Sequence, residues 1–452
     1  MNKQTVYIAH AVDTEGPMFE SLTATFDRIN DHYGISLEPS KETIRRLRNH
    51  EIDLDGKEEL VAEIVREDMI GQYLESWDQI DLMHETIMSE SWRNTLSDSL
   101  GKPYVLSWHC MDHVNFENNP RRRAMGFHAV YEYYDQLLRD YHAPRDQINW
   151  HFHPPSISRD AHRQSCGFNI NMLHNEILAR RIIDHKWFPV ANRPGGHYET
   201  YDINLWLEAW IPFDIAHQFT GDPEDIKRIY PIPGRFVDWR GAPTDWRIYN
   251  PDFYDHRKEG SLKRSISRCL NLRTRYNNMN EKELERAFNQ AQNGENAFVG
   301  VTNHDFRDMV PEIEEFVHLV RKVSTKYPEV NFQWVNVVEG FRAALGMEKK
   351  SPPKFKFELN SEFLRMTSDK DIWGSQPFLA LRTLEGRYYR DDLINDEGNQ
   401  WTYSFDVHSI ALNALSHIGV ACNDDIGNTI VYVYEQKSNT WEEKNLHQDD
   451  WI

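Results

Sequence analysis

The feature that most limits the fold of this chain is an alternation. Short runs rich in β-branched and aromatic residues are separated by longer segments of helical periodicity. The runs are TVYIAHAV (5–12), PYVLSWH (103–109), QINWHFH (147–153), WFPVAN (187–192), PFDIAHQ (212–218), AFVGVTN (297–303) and NFQWVNV (331–337). Between them lie SKETIRRLRN, AVYEYYDQLLRDY, NEILARRIIDH, EKELERAFNQAQ and EIEEFVHLVRKV. Strands alternating with helices predict parallel βαβ units. About seven such units, with no glycine-rich dinucleotide fingerprint, predict a distorted seven-stranded (β/α) barrel rather than a doubly wound sheet.

Two departures from the alternation divide the chain. The acidic, helical stretch over about 18–100 separates the first two strands and reads as an inserted helical subdomain or lid. Near GMEKKSPPKF (346–355) the composition shifts, and Pro352-Pro353 after lysines marks a linker. Beyond it KFKFEL, FLALRTLEG, WTYSFDV and TIVYVYE read as strands, with VHSIALNALSHI as the single helix. The expected organisation is a barrel over 1–345 and a small β-rich accessory domain over 351–452.

Composition excludes several classes. A net charge of -20 over 452 residues argues against a nucleic-acid-coating surface, which needs basic stripes. The run Arg121-Arg122-Arg123 reads as a solvated helix start. Cys110, Cys166, Cys269 and Cys422 are far apart with no CxxC pair, so neither a structural zinc site nor a disulfide framework is signalled. MNKQTVYIAH lacks the apolar core of a signal peptide, and no apolar run reaches membrane-spanning length. The expectation is a soluble protein of a reducing compartment, the cytoplasm.

The strand ends carry the chemistry. The first strand runs into HAVDTEGP, the third into WHFHPP, the fourth into NRPGGHYE and the sixth of the runs above into TNHDFRD, while the fifth carries FDIAHQ. A (β/α) barrel builds its active site at these carboxyl ends. His151 and His153 are two residues apart, so on a strand they face one side with Cα atoms roughly 6.5–7 Å apart. Two imidazole nitrogens can then converge on one ion at about 2.0–2.1 Å. Two hydrogen-bonded surface histidines are the plain alternative. Asp13 and Glu15 share a face in the same way before Gly16-Pro17 breaks the strand. One carboxylate can bind a metal while its neighbour takes a proton from water. His151, His153 and a carboxylate together make the set of an open catalytic zinc site.

These residues, in this order, resemble the polysaccharide deacetylases of NodB-homology type, metal-dependent de-N-acetylases on a distorted (β/α) barrel. The resemblance covers roughly 5–345. The family's T-F-D-D-G motif looks like VDTEGP, which implies Asp13 as general base and Glu15 as the acidic metal ligand. The family's H-x-x-x-H-P is here H-x-H-P, which implies His151 and His153 as the other ligands. NRPGG matches the Arg-Pro motif, with Arg193 orienting the base, and VTNHDF is similar to the Leu-x-His motif, making His304 the general acid. Glu in place of Asp and the shorter histidine spacing are similar to a divergent branch carrying D-T-E-G-P, often associated with bacterial surface-polysaccharide biosynthesis.

The loop VDWRGAPTDWRIYNPDFYDH (237–256) is dense in aromatic and planar hydrogen-bonding groups, which suit a sugar's apolar faces and hydroxyl edges or packing on the barrel rim. Trp239 and Arg240 are its candidate substrate contacts. Asp214 is a third, facing the site or capping a helix. His109, Asp112 and His113 read as structural. The resulting expectation is a metal-dependent hydrolase removing an acyl group, acetyl first, from an amino sugar or glycan. Zinc or another first-row divalent metal is the cofactor, and nucleic acid and membrane spans are not expected. The rivals are a metal-independent glycoside hydrolase pairing Asp13 with Asp214 or Asp305, and a non-catalytic carbohydrate-binding barrel.

Overall fold

A computed structural model describes residues 4–67, 72–116, 125–154, 156–160, 167–169, 172–229, 237–274 and 276–451. Arg121-Arg122-Arg123 and Cys166 lie outside them. The barrel strands are β1 (Gln4–Thr14), β2 (Leu106–Met111), β3 (Gln147–His151), β4 (Ala191–Asn192), β5 (Phe213–His217), β6 (Ser265–Asn271) and β7 (Ala297–His304), with β8 (Val330–Val335) beside them. β1 to β7 pair in parallel in that order, and β7 pairs back to β1, which closes a seven-stranded ring.

The distortion is located at β1. Its first half, Gln4 to Ala9, pairs with β8, and its second half, His10 to Thr14, pairs with β2. β8 therefore fills the gap between β1 and β2 at the amino end of the barrel. Parallel strands covered on both faces read as near-continuous apolar runs, and β1 is buried throughout its second half.

The run AFVGVTN is thus the seventh barrel strand rather than the sixth. The additional strand is β6, SISRCLN, which is not a continuous apolar run. Its polar residues are inside: Ser267, Arg268 and Asn271 are buried. Arg268 donates to the Thr244 carbonyl at 2.6 Å and to Glu283 at 3.1 Å, and Asn271 donates to the Tyr276 carbonyl at 3.1 Å. Partnered polar groups of this kind can be buried without the cost of an unmade hydrogen bond, so hydropathy understates the strand.

Among the described residues, five helices lie between β1 and β2: α1 (Leu22–Tyr33), α2 (Lys41–Arg48), α3 (Glu58–Ile64), α4 (Trp77–Ile87) and α5 (Glu90–Thr95). Ser21, Ser40, Ser76 and Ser89 cap α1, α2, α4 and α5 by accepting from backbone N–H groups. Phe26, Ile29, Ile44, Leu47, Leu54, Val61, Ile64 and Val65 form a separate small core under α1 to α3. The ring is wrapped by α6 (Ala129–Asp140), α7 (Leu173–His185), α8 (Tyr201–Trp210), α9 (Pro223–Ile229), α10 (Glu281–Gln292), α11 (Met309–Ser324) and α12 (Val337–Ala344).

The C-terminal domain is antiparallel. Its strands are β9 (Phe355–Leu359), β10 (Phe363–Ser368), β11 (Phe378–Thr383), β12 (Tyr388–Asp391), β13 (Ile394–Glu397), β14 (Gln400–Ser404), β15 (Leu415–Asn423), β16 (Thr429–Glu435) and β17 (Thr440–Leu446). They form two sheets, ordered β13-β14-β10-β9 and β12-β11-β15-β16-β17. Alternation divides the larger sheet's faces. Leu379, Leu381, Ile418, Val420 and Tyr432 join Leu364, Met366 and Trp401 of the smaller sheet. Phe378, Ala380, Ala421, Val431 and Val433 join the main core of the barrel.

The helix expected over VHSIALNALSHI is not there: Leu412–Ala414 forms one 3-10 turn and Leu415 begins β15. Pairing of β15 with both β11 and β16 satisfies its backbone and overrides local helix propensity.

Candidate metal centre

The barrel register places the site. Asp13 on β1 lies opposite His304 on β7 and His109 on β2. Trp150 on β3 pairs with Asn192 on β4, so His151 and Arg193 follow side by side. The residues expected to act together therefore meet at the carboxyl ends of β1, β3, β4 and β7.

Asp13 is buried, and Arg193 grips it with both arms of its guanidinium: Nε donates to Oδ1 at 2.7 Å and Nη2 to Oδ2 at 3.2 Å. Arg193 also donates to the Ile215 carbonyl at 3.1 Å. This two-pronged geometry fixes the carboxylate's plane. Burial pushes the Asp13 carboxyl up to about 6, with Arg193 pulling it down and Glu15 pushing it up.

The Arg193 carbonyl accepts from His151 Nδ1 at 2.7 Å. That bond commits the Nδ1 proton and turns the Nε2 lone pair toward the site, the arrangement metal-ligating histidines use. His151 Nε2 stands 2.9 Å from His153 Nε2, which in turn stands 3.8 Å from Glu15 Oε1. Donor atoms of Glu15, His151 and His153 all lie within 4.8 Å of one another. Tetrahedral ligands at about 2.0–2.1 Å from an ion stand roughly 3.3 Å apart, so the trio fits a small divalent cation. Two imidazole lone pairs and one carboxylate also fit zinc or its first-row neighbours in donor type.

Gly195 shapes this cluster. A Cβ built on it would lie 2.3 Å from His153 Cδ2 and Cγ and 2.4 Å from Cε1. The His153 ring lies flat against the glycine, so the first glycine of RPGG is the floor under a candidate ligand.

His304 Nε2 stands 3.7 Å from Asp13 Oδ2 and 3.8 Å from Glu15 Oε1. Burial holds the imidazole well below its ordinary 6.5, assisted by Arg307, His151 and Arg193 and opposed by Glu15.

Of the candidate sugar contacts, Trp239 and Asp214 are corrected by their burial. Trp239 is fully buried; its indole N–H donates to the His197 carbonyl at 2.8 Å and its ring stacks on His217 at 5.1 Å. Its faces are spent on core packing. Arg240 is exposed and pairs with Asp238 at 2.8 Å. Asp214 neither faces the mouth nor caps a helix. It is fully buried, accepting from Asn192 at 2.8 Å, Arg264 at 2.7 Å and the Ala216 N–H at 2.7 Å. Arg264 extends that network to Glu199 and Asn204.

His109, Asp112 and His113 divide. His109 donates toward the Trp150 carbonyl at 3.3 Å, and Asp112 binds Arg181 at 3.0 Å. His113, read as structural, reaches the site after all: its Nε2 donates to the Glu15 carbonyl at 2.7 Å. Asp305, expected only as a rival carboxylate partner of Asp13, instead accepts from the Glu15 and Gly16 N–H groups at 2.8 Å each. Among the described residues no helix is long and apolar enough to cross a membrane. Neither family models nor curated proteins match the sequence.

Proposed function

We propose that this protein is a metal-dependent hydrolase that removes an N-acyl group, acetyl first, from an amino sugar or glycan, with chemistry like that of the polysaccharide deacetylases it resembles. The observation that carries the reading is the division of the site. Three donors, from Glu15, His151 and His153, converge on one point, while the adjacent Asp13 is held outside that set by Arg193. That is how a metal site with a separate base is built.

Glu15, His151 and His153 would hold the ion. When bound, it supplies Lewis-acid polarisation of the amide carbonyl and acidifies water at neutral pH. Asp13 takes the proton of the attacking water, and Arg193 keeps its carboxylate aligned. The carbonyl carbon gains a bond to that oxygen and then loses its bond to nitrogen. The amine leaves only once it is protonated. His304, 3.7 Å from Asp13 Oδ2, relays the proton that Asp13 has taken to the amine. The products are the free amino sugar and the carboxylic acid.

The two-carboxylate glycosidase reading is weakened by the same geometry. Its candidate partners for Asp13, Asp214 and Asp305, are both fully buried in hydrogen-bond networks. The test is acetate release from a panel of N-acetylated amino sugars, free, nucleotide-linked and polymeric, by protein stripped of metal and then reloaded with one equivalent of Zn2+. Metal-dependent acetate release supports the reading. Release of reducing ends with no acetate, or acetate release that survives metal removal, overturns it.

A further inference from the structure

Asp305 follows His304 directly, yet its side chain turns the other way, into the wall of the barrel. A buried carboxylate must find donors or lose its charge, and the donors it has found belong to the segment that carries Glu15. The Glu15 N–H donates to Oδ1 at 2.8 Å, the Gly16 N–H to Oδ2 at 2.8 Å, and the Tyr134 hydroxyl to Oδ2 at 2.9 Å. Asp305 is fully buried.

Two successive N–H groups aimed at one anion form a concave nest. Here the anion is part of the chain itself. The turn that builds the nest requires Gly16: its φ is +70°, and a Cβ would meet the Met125 methyl and the Trp77 ring at 3.0 Å. On the far side His113 donates to the Glu15 carbonyl. The Glu15 peptide is therefore held from both ends, just where β1 leaves the ring and could otherwise fray.

We propose that Asp305 is a positioning residue for the metal centre: by gripping the Glu15 and Gly16 peptides from β7 it sets where the Glu15 carboxylate points. The proposal rests on reading Glu15, His151 and His153 as metal ligands. Asp305 itself donates nothing to the ion or substrate. It preorganises a ligand, so its loss weakens metal binding by the folded protein.

The experiment compares the full-length protein with Asp305→Asn and Tyr134→Phe. Asparagine keeps the shape, but its amide offers one acceptor and sets an NH2 against the other peptide N–H. Tyr134→Phe leaves both peptide bonds intact and removes one support of the carboxylate. Zn2+ affinity is measured by competition with a chromophoric chelator, well below the melting temperature of each apo protein. The Co2+ absorption band of each loaded protein reports ligand geometry. The expected result is an Asp305→Asn affinity lower by about 10–100-fold with an altered Co2+ band. Tyr134→Phe should show a smaller loss in the same direction. A merely structural carboxylate would lower the melting temperature and leave both readouts of the folded protein unmoved; that result overturns the proposal. If Asp305→Asn does not fold, Tyr134→Phe decides, and wild-type affinity and band there overturn it. A wild-type protein that binds no Zn2+ or Co2+ removes the metal reading itself, a failure distinct from wild-type binding that Asp305→Asn leaves unchanged.

Discussion

Gly195→Ala tests the metal centre with a single methyl group. A Cβ at residue 195 would sit 2.3 Å from two atoms of the His153 ring. Ordinary carbon–carbon contact is about 3.5–4.0 Å, so the pair must separate by more than about 1 Å. The backbone is poorly placed to yield, because Pro194 precedes it and the Gly195 N–H donates to the Phe152 carbonyl at 2.8 Å. Gly195 does not sit in the left-handed region, so alanine brings no backbone strain there. It is also expected to favour the folded chain by about 0.4–1 kcal/mol through the unfolded state. His153 is the part that can move, since its side chain is 16% exposed. Ligand distances tolerate about ±0.2 Å, so the displaced ring no longer serves. Zn2+ affinity should fall by at least the roughly 10–100-fold seen when a ligand's support is removed, while the apo protein melts near the wild-type temperature. Chelator competition and scanning calorimetry read the two quantities. Wild-type affinity in Gly195→Ala would refute the claim that His153 is a ligand held against this glycine.

Other outcomes follow from the same geometry. Asp13→Asn should keep its metal and lose about 10²–10⁴-fold in turnover; loss of metal as well would make Asp13 a ligand. His304→Ala should damage hydrolysis of an amide far more than of an ester of the same acyl group, because an alcohol leaves more easily; equal losses would remove the leaving-group role. Stability of the apo protein should fall in mild acid. Burial holds His10 down at about 4 and His84, His174 and His217 at about 3, against an ordinary 6.5. Below that value the unfolded chain binds more protons than the folded one, so their contribution is present at neutral pH and shrinks from 6.5 toward 4. Asp13, Asp214 and Asp305, pushed up by burial to about 6, act in the opposite sense, but they take up protons later than the unfolded chain's histidines and are three against four. The melting temperature should therefore drop between about pH 7.5 and about pH 6; calorimetry showing a rise over that interval would contradict the histidine account.

What could be read from the sequence depended on where polar residues end up. The runs of β1, β3, β5 and β7 are apolar enough to announce themselves, and their polar ends could be placed on one face before any coordinates. Asp13, Glu15, His151, His153, Arg193 and His304 meet in the structure because chemistry and strand ends coincide at each. β6 was hidden because Arg268 and Asn271 are buried with partners that lie far away in the chain or in a neighbouring loop. The false helix at 407–418 arose because strand pairing is non-local and apolar spacing alone does not report it. Trp239 suits a sugar on composition alone. Which face of a tryptophan is covered depends on neighbours such as His217, and no spacing rule contains that. Gly195 and Asp305 act through contacts with His153 and Glu15 across the barrel mouth, so they became visible only once the strands were assembled.

The central claim is that one divalent ion is held by Glu15, His151 and His153. Its most direct test is metal content by elemental analysis, together with Zn2+ titration, of the purified protein and of His151→Ala/His153→Ala. The account predicts one tightly bound equivalent in the wild type and none in the double variant, with the barrel's circular dichroism unchanged. A double variant that still binds one equivalent with wild-type affinity would contradict it.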